Sequence, residues 1–594
     1  METRTLADLF FASVGHDLER HVMVKRGDRW QAITSRQYYG YVTSVARALK
    51  RWGIQKGDRV AILSENRPEW TIADFACVCS GIADVPIYST LTADQTAYLL
   101  RHSGARVIFV SSRDQLRKVQ SIQSQTSLEK IVVMDDVAEV NVIPMWSILN
   151  ESSTDADPEF DAQAHQIQPD DLATLIYTSG TTGTSKGVML SHWNLTSVAL
   201  ESTRQSEWIV GDLYLSFLPL SHVTARHLDY VCFLNGVTIA YCPFFEHLPH
   251  ALQETRPTII VAVPRVYEKV RQEAERRAGT GIKRKILDWA LRVGQRHMDE
   301  IQRDEKPKDL AWRLANKLVY SKIRGGFGGR SRAYFSGGAP LGKEMADWFC
   351  CMGIPICEGY GLTETSPTIS VNRRDAFKLG TVGKPNAIVQ VRIAEDGELL
   401  VKGAQVFKGY WNMPEETRAA FTPDGWFKTG DIAQMDSDGF ISITDRKKGL
   451  IKTSGGKFIA PQPIENALKN NVLIAQAAVV GDKRKYASVI LSPHFPLLED
   501  WAHANQVNFS SRADLVGNNK VRELYRGIVE DLNKKLAQFE TIKKILIVPD
   551  EFTVATGEIT PTLKLKRRVI EAKYKDQIDD LYQEPHPVET APVG

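Results

Sequence analysis

The sequence predicts an α/β protein, with a large N-terminal domain of layered sheets and helices, a β-rich subdomain at its end, and a small α+β C-terminal domain. Three observations predict it. Short apolar strand candidates alternate with helical segments as far as Val389. Beyond Val389 the texture turns to short strands joined by Asp-Gly turns. Near Asp445 the chain becomes strongly charged, D-R-K-K, and then glycine-rich at Ser454-Gly455-Gly456, which reads as a boundary between domains 1–445 and 446–594. At 594 residues the chain is too long for one core.

Taken in order, Arg59 to Leu63 reads as a strand after the Gly57-Asp58 turn, Trp70 to Gly81 as a helix, and Arg106 to Val110 as a buried strand. Lys130 to Met134, Leu172 to Ile176, Val237 to Tyr241 and Thr258 to Val263 continue the strands of a largely parallel sheet. The segment from 265 to 320 is an insertion rich in Lys, Arg and Glu at helical spacing. Ile286, Trp289, Ala290 and Val293 fall on one face, as do Leu310, Leu314 and Leu318, with an interruption near Asp304 to Pro307. The basic cluster Lys283 to Lys285 suits a solvated helix face, a membrane or a partner. Asp396-Gly397, Asp424-Gly425 and Asp438-Gly439 mark hairpins. In the last domain, strands such as Ala477 to Val480 alternate with helices such as Leu515 to Ala537. The final dozen or so residues, rich in Pro and Glu, read as a disordered tail.

Composition excludes several classes. Hydrophobic content of 43% with 24% charged residues is that of a soluble globular protein. A net charge of +3 gives no electrostatic argument for nucleic acid. The first residues lack the basic start and apolar core of a signal peptide, and no apolar run is long enough to span a bilayer. The seven cysteines show no paired C-x-x-C spacing and read as buried thiols in a reducing compartment. The expected location is cytoplasmic, with membrane association left open.

The run from Tyr177 to Gly187, Y-T-S-G-T-T-G-T-S-K-G, is the most informative. Its glycines let backbone N–H groups approach phosphate oxygens, its hydroxyls donate further hydrogen bonds, and Lys186 adds a positive charge. The Walker A spacing is absent. A flexible linker has similar composition, but linkers rarely join a buried strand to an apolar run such as Val188 to Leu190.

Further motifs follow: S-G-G-A-P from Ser336, E-G-Y-G-L-T-E-T from Glu358, K-T-G-D ending at Asp431, D-R-K-K-G-L-I-K-T-S-G-G from Asp445, and T-P-T-L-K-L-K-R-R from Thr560. In this order and at these separations the chain resembles the adenylate-forming superfamily of acyl-CoA synthetases, adenylation domains and luciferases. Within it, the charged helical insertion and the T-P-T-L-K-L-K-R form of the last motif resemble long-chain fatty-acid–CoA ligases.

That resemblance implies a two-step reaction: a carboxylate attacks the α-phosphate of ATP, and coenzyme A then takes the acyl group and releases AMP. It implies that Thr178, Ser179, Gly180, Thr181, Thr182 and Gly183, with Lys186, hold the β- and γ-phosphates. Magnesium would be held by Glu364 and Thr178. Gly337, Gly338 and Ala339 would face adenine, with Tyr360 stacked on it, and Glu358, Gly359, Gly361 and Thr363 belong to the same nucleotide motif. Asp431 would accept from the ribose hydroxyls, and Arg446 would support the ribose. Lys564 would stabilise the adenylation transition state, with Lys566 as the other choice in that basic run. Asp445 would be the hinge of a mobile C-terminal domain that brings Lys452, Ser454, Gly455 and Gly456 toward coenzyme A.

Pro219-Leu220-Ser221-His222-Val223 resembles the family's acyl-pocket motif, with His222 positioning the acid. The following Thr224-Ala225-Arg226-His227 departs from the aromatic-Glu-Arg common in long-chain members. Medium-chain or aromatic acids, transfer to a carrier protein instead of free coenzyme A, and a catalytically silent nucleotide-binding scaffold are the competing readings. A homodimer and peripheral membrane contact stay open.

Overall fold

The computed structural model describes residues 3–179, 185–447, 449–454, 457–560 and 565–583. The chain divides into two compact units. The first comprises Met1–Thr429 with Met435–Ser442, and the second Gly430–Gln434 with Ile443–Gly594.

Two large sheets organise the first unit. One has seven strands in the order Ile143–Pro144, Lys130–Val133, Val107–Val110, Arg59–Leu63, Ala83–Ile87, Leu172–Ser179 and Ser185–Ser191. All pairs are parallel except the last. The predicted strands are apolar on both faces because helices cover both, and Val107–Val110 is buried throughout. The predicted helix at Trp70 begins at Pro68, whose missing N–H suits a first turn, and is buried along its length to Cys79. It stops two residues short of Gly81. There a positive φ of 69° lets Ile82 N–H return to Cys77 O at 2.9 Å, a left-handed stop that favours glycine.

The other sheet has nine strands, Lys384–Pro385, Thr368–Val371, Ile356–Gly361, Ala333–Ser336, Ile259–Ala262, Leu213–Ser216, Thr238–Tyr241, Val22–Arg26 and Arg29–Ile33. Its parallel centre is flanked by antiparallel strands at both edges.

The insertion forms helices Pro264–Ala278, Ile282–Arg296, Met298–Gln302 and Leu310–Ala315, a π turn Asn316–Tyr320, and a last helix Ser321–Gly326. The break at Asp304 to Pro307 falls where the sequence placed it. Ala290 and Val293 are core residues, and Gly294 lies so close to Cys351 that a Cβ would sit 2.0 Å from its carbonyl oxygen. The second predicted face is reversed. Leu310, Leu314 and Leu318 are 81%, 49% and 37% exposed. The core takes Ala315, Val319, Tyr320 and Ile323 instead, with Ala311 and Trp312 packed beside them. Both sides of this segment are apolar, so periodicity alone chose the wrong one.

Val389–Ile393 and Glu398–Gly403 form the expected hairpin around Gly397, φ 83°. Strands Phe427–Met435 and Ile441–Arg446 both start in the first unit and continue into the second. The second unit holds a three-stranded sheet, Ile474–Val480 antiparallel to Ala487–Pro493, which is parallel to Ile542–Ile547. The helix expected from Leu515 to Ala537 is two helices, Arg512–Gly517 and Asn519–Asn533. Asn518 separates them, its side chain accepting from Lys520 N–H as an N-cap. All seven cysteines are free and buried. Among the described residues no helix is long and apolar enough to cross a membrane.

Candidate active site

Strands Leu172–Ser179 and Ser185–Ser191 place Thr178 opposite Lys186 and Tyr177 opposite Gly187. Gly180, Thr181, Thr182 and Gly183 lie outside the described residues, as does the side chain of Ser179. Tyr177 is buried with its hydroxyl 2.8 Å from His102 Nδ1. A Cβ at Gly187 would lie 3.1 Å from that ring, so glycine lets the two strands close around it.

Backbone bonds sew the segment 408–411 to the second of these strands: Met189 N–H donates to Gly409 O at 3.0 Å, Lys408 N–H to Met189 O at 3.1 Å, and Trp411 N–H to Gly187 O at 2.8 Å. Tyr410 is thereby held beside Lys186, whose Nζ lies 5.0 Å from the ring centroid. The Tyr410 hydroxyl donates to Glu364 Oε1 at 2.9 Å. Burial, then the Glu364 charge, drive the phenol well above its ordinary value, so it stays a donor. Glu364 sits in the short turn Thr363–Thr365, closed by Leu362 N–H donating to Thr365 Oγ1 at 3.0 Å, and Phe407 N–H donates to Glu364 O at 2.9 Å. Thr178 and Lys186, from one motif, and Glu364, from another, thus share one neighbourhood organised by Tyr410. The sequence reading missed Tyr410. Its only local signal is an aromatic pair after Gly409, and its importance comes from partners far away in the chain.

The two motifs expected at the nucleotide are adjacent through the parallel pairing of Ala333–Ser336 with Ile356–Gly361, which sets Ser336 opposite Glu358. Both strands deliver their motifs at carboxyl ends, where open α/β sheets bind ligands. Gly337, Gly338 and Ala339 follow the first. Among the described residues, and apart from their chain neighbours, a Cβ at Gly337 would meet within 4 Å only Gly359 O at 3.6 Å and one at Gly338 only Val263 Cγ1 at 3.8 Å, which leaves room for a flat ring. Glu358, Gly359, Tyr360 and Gly361 lie on the second. A Cβ at Gly361 would be 1.7 Å from Pro367 O, so only glycine fits there. Glu358 is buried, accepts from Leu341 N–H at 3.3 Å, and has its carboxyl pushed up to about 7 by desolvation.

His222 is the half-buried N-cap of helix Val223–Leu234, its Nδ1 accepting from Thr224 N–H at 3.2 Å. The unusual residues after it turn inward. Arg226 is 1% exposed and donates to Asp74 at 2.5 Å, Asp84 at 2.8 Å, Thr174 Oγ1 at 2.8 Å and the Tyr230 oxygen at 2.7 Å. Burial raises both carboxyls against the pull of Arg226, Asp74 to about 7. His227 is buried, with Nε2 3.0 Å from Ser202 Oγ, and desolvation lowers it to about 4.

In the second unit Arg446 Nε pairs with Asp431 Oδ1 at 3.1 Å, joining the two residues expected at the ribose, and Lys447 N–H donates to Gly430 O at 2.8 Å. Asp445 is buried. Its Oδ1 accepts from Arg446 N–H at 2.5 Å, Oδ2 has no hydrogen-bond partner among the described residues, and burial lifts the carboxyl to about 6. Lys452 N–H donates to Asp482 Oδ1 at 3.1 Å, and Ser454 N–H to Arg484 O at 2.8 Å. Gly455, Gly456 and Lys564 lie outside the described residues. Just beyond Lys564, Leu565 pairs with Ile559 and Lys566 N–H donates to Glu558 O at 2.7 Å.

The Thr178 hydroxyl and the Glu364 carboxylate, expected at the metal, form a hard oxygen set of the kind that fits magnesium. Among the described residues no cluster of three or more His, Cys, Asp or Glu could hold a metal.

The parallel-centred sheets, the hairpin of Leu172–Ser179 with Ser185–Ser191 and the separate α+β unit are the fold of an adenylate-forming enzyme. Residues 10–411 match the model of the AMP-binding enzyme family, and residues 448–586 that of the AMP-binding enzyme C-terminal domain. The chain belongs to the AMP-binding enzyme family. It is 37% identical to long-chain-fatty-acid–CoA ligase FadD15 of Mycobacterium bovis over 559 residues, covering 93% of this chain and 92% of that one. It is 34% identical to long-chain-fatty-acid–CoA ligase ACSBG2 of Xenopus laevis over 599 residues, covering 94% and 81%. The fold is also that of the anthranilate CoA ligase AuaEII in complex with anthranoyl-AMP, with TM-score 0.74, 20% identity, and coverage of 98% of this chain and 99% of that one.

Proposed function

We propose that this chain joins long-chain fatty acids to coenzyme A at the expense of ATP. A carboxylate oxygen of the acid bonds to the α-phosphorus, and the bond to the pyrophosphate oxygen breaks. The coenzyme A sulfur then bonds to the acyl carbon, and AMP leaves. The observation that carries this reading is the assembly of Lys186, Tyr410 and Glu364 beside the phosphate-loop hairpin, in a chain similar along most of its length to long-chain-fatty-acid–CoA ligases.

Lys186 and Thr178 hold the leaving pyrophosphate, and fixing that group lowers the barrier to in-line displacement. Tyr410 orients Glu364, which with Thr178 would hold magnesium; the ion, when bound, would neutralise phosphate charge. Gly337, Gly338 and Ala339 with Tyr360 receive adenine, Asp431 with Arg446 the ribose, and His222 the acyl carboxylate. Lys564 serves adenylation. Rotation at Asp445, between domains 1–445 and 446–594, exchanges it for the segment Lys452 to Gly456 and coenzyme A. We place the enzyme in the cytoplasm, with peripheral contact to lipid, where its amphiphilic substrate partitions.

The test is AMP release from ATP with magnesium, with and without coenzyme A, across acids from acetate to palmitate and cinnamate. Palmitate-dependent release that requires coenzyme A supports the ligase. Release indifferent to coenzyme A would move the activity to acyl-AMP formation alone, and no turnover with any acid would overturn it.

A further inference from the structure

We infer that the outward face of the helical run from Leu310 to Gly326 is a docking surface for an anionic lipid bilayer. Leu310, Leu314 and Leu318 are exposed along it, and Arg313, Lys317 and Lys322, also exposed, stand between and beside them. Four residues overshoot one turn of an α-helix, so a stripe at this spacing drifts around the axis. The π turn Asn316–Tyr320 winds wider and opposes that drift between Leu314 and Leu318, and all three leucines are exposed.

The inward face fixes the run in place. Tyr320 OH donates to Ala290 O at 2.7 Å, the Trp312 and Tyr320 rings lie 4.7 Å apart, and Ala315, Val319 and Ile323 are core residues. The leucines are therefore presented by a rigid support and are not waiting to fold inward.

Charge points to the occupant. On the preceding helices several cations are paired within the protein: Arg271 with Glu275, Arg276 and Arg277 with Glu273, and Arg284 with Asp288. Arg313, Lys317 and Lys322 have no carboxylate within ion-pair distance among the described residues. The nearest acid in sequence, Asp309, is engaged by Trp312 N–H at 2.6 Å and His297 Nε2 at 3.1 Å. A row of apolar side chains with unmatched cations at its flanks suits the headgroup boundary, where leucines enter the acyl layer and cations meet lipid phosphates. Each such cation contributes about fivefold in partitioning at an anionic surface.

This deepens the lipid contact proposed above, and its test is independent of the catalytic assignments. The full chain is sedimented with vesicles of phosphatidylcholine alone and of phosphatidylcholine with phosphatidylglycerol, at low and high salt. ATP binding is read in the same samples to show that each variant is folded. Expected is binding to the anionic vesicles that high salt weakens, a loss of about tenfold or more when Arg313, Lys317 and Lys322 become Gln, and a comparable loss when Leu310, Leu314 and Leu318 become Ser, with ATP binding unchanged. Absence of vesicle binding by the unaltered chain would overturn the inference, as would binding that both variants retain. A leucine variant that turns a dimer into a monomer while still binding vesicles would assign the face to a second copy instead.

Discussion

The hydroxyl of Tyr410 donates to Glu364 Oε1 at 2.9 Å while its ring lies 5.0 Å from the Lys186 ammonium. One side chain thus serves the carboxylate proposed for magnesium and the lysine proposed for phosphate. Tyr410→Phe removes the donor and keeps the ring. Hydrogen bonds to charged groups contribute about 1.5–3 kcal/mol, so we expect roughly tenfold or greater loss of turnover with a raised magnesium requirement. Tyr410→Leu removes the cation–π contact as well and is expected to weaken ATP binding further, by about twofold to fivefold. Titration calorimetry of ATP with and without magnesium separates the two effects.

Glu358 gives stability an unusual pH dependence. Its carboxyl is raised from 4.5 to about 7 in the folded chain by burial. Between those values the folded state holds a proton that the unfolded chain has released, so the contribution is full below pH 4.5 and is lost as pH rises through about 7. Across that window the loss is on the order of 3 kcal/mol. Glu358→Gln stays neutral throughout. Its denaturation midpoint is expected to gain on the unaltered protein as pH rises; parallel curves would show that the carboxyl is not held protonated.

Arg226 joins the helix capped by His222 to the strand Leu172–Ser179, through Thr174. Removing it in Arg226→Met leaves Asp74 and Asp84 buried without their cation. A cost of about 3–5 kcal/mol is expected, read as a lower urea midpoint. Arg226→Lys keeps the charge but cannot reproduce the fork of bonds to Asp74, Asp84, Thr174 and Tyr230, and is expected to fall between the two.

The choice between Lys564 and Lys566 is decided by half-reactions. Lys564→Ala is expected to lower acyl-AMP formation by about 100-fold or more, while ATP still binds and synthetic acyl-AMP is still converted with coenzyme A. Lys566→Ala is expected to change the first step little. The reverse pattern would move the assignment to Lys566.

What the sequence reveals depends on how local the cause is. Leu172 to Ile176 and Arg59 to Leu63 are strands because their own residues are apolar and flanked by turns, and both are found in place. The outward turn of Leu310, Leu314 and Leu318 was hidden, because Ala311, Trp312, Ala315 and Val319 form a competing apolar face and only the surrounding core decides between them. The pause at Asn518 is an N-cap that a helical periodicity passes over. In the site, the glycine motifs announce themselves by composition. Tyr410 does not, because its partners lie on a strand and a turn far away in the sequence. Arg226 looked like a departure in an acyl pocket, and its burial among two aspartates supplies the reason for it.

The seven buried thiols make the large unit its own reporter of opening. All of them lie before residue 430. Burial pushes Cys351 up to about 11 and Cys357 up to about 12, so the intact fold offers little thiolate to an alkylating reagent. Each cysteine then becomes labelled only when its own layer breathes: Cys77 and Cys79 with the helix behind the seven-stranded sheet, Cys350 and Cys351 with the helix Lys343–Cys351. The smaller unit contributes no cysteine signal, so the order in which sites are modified records how the larger one comes apart.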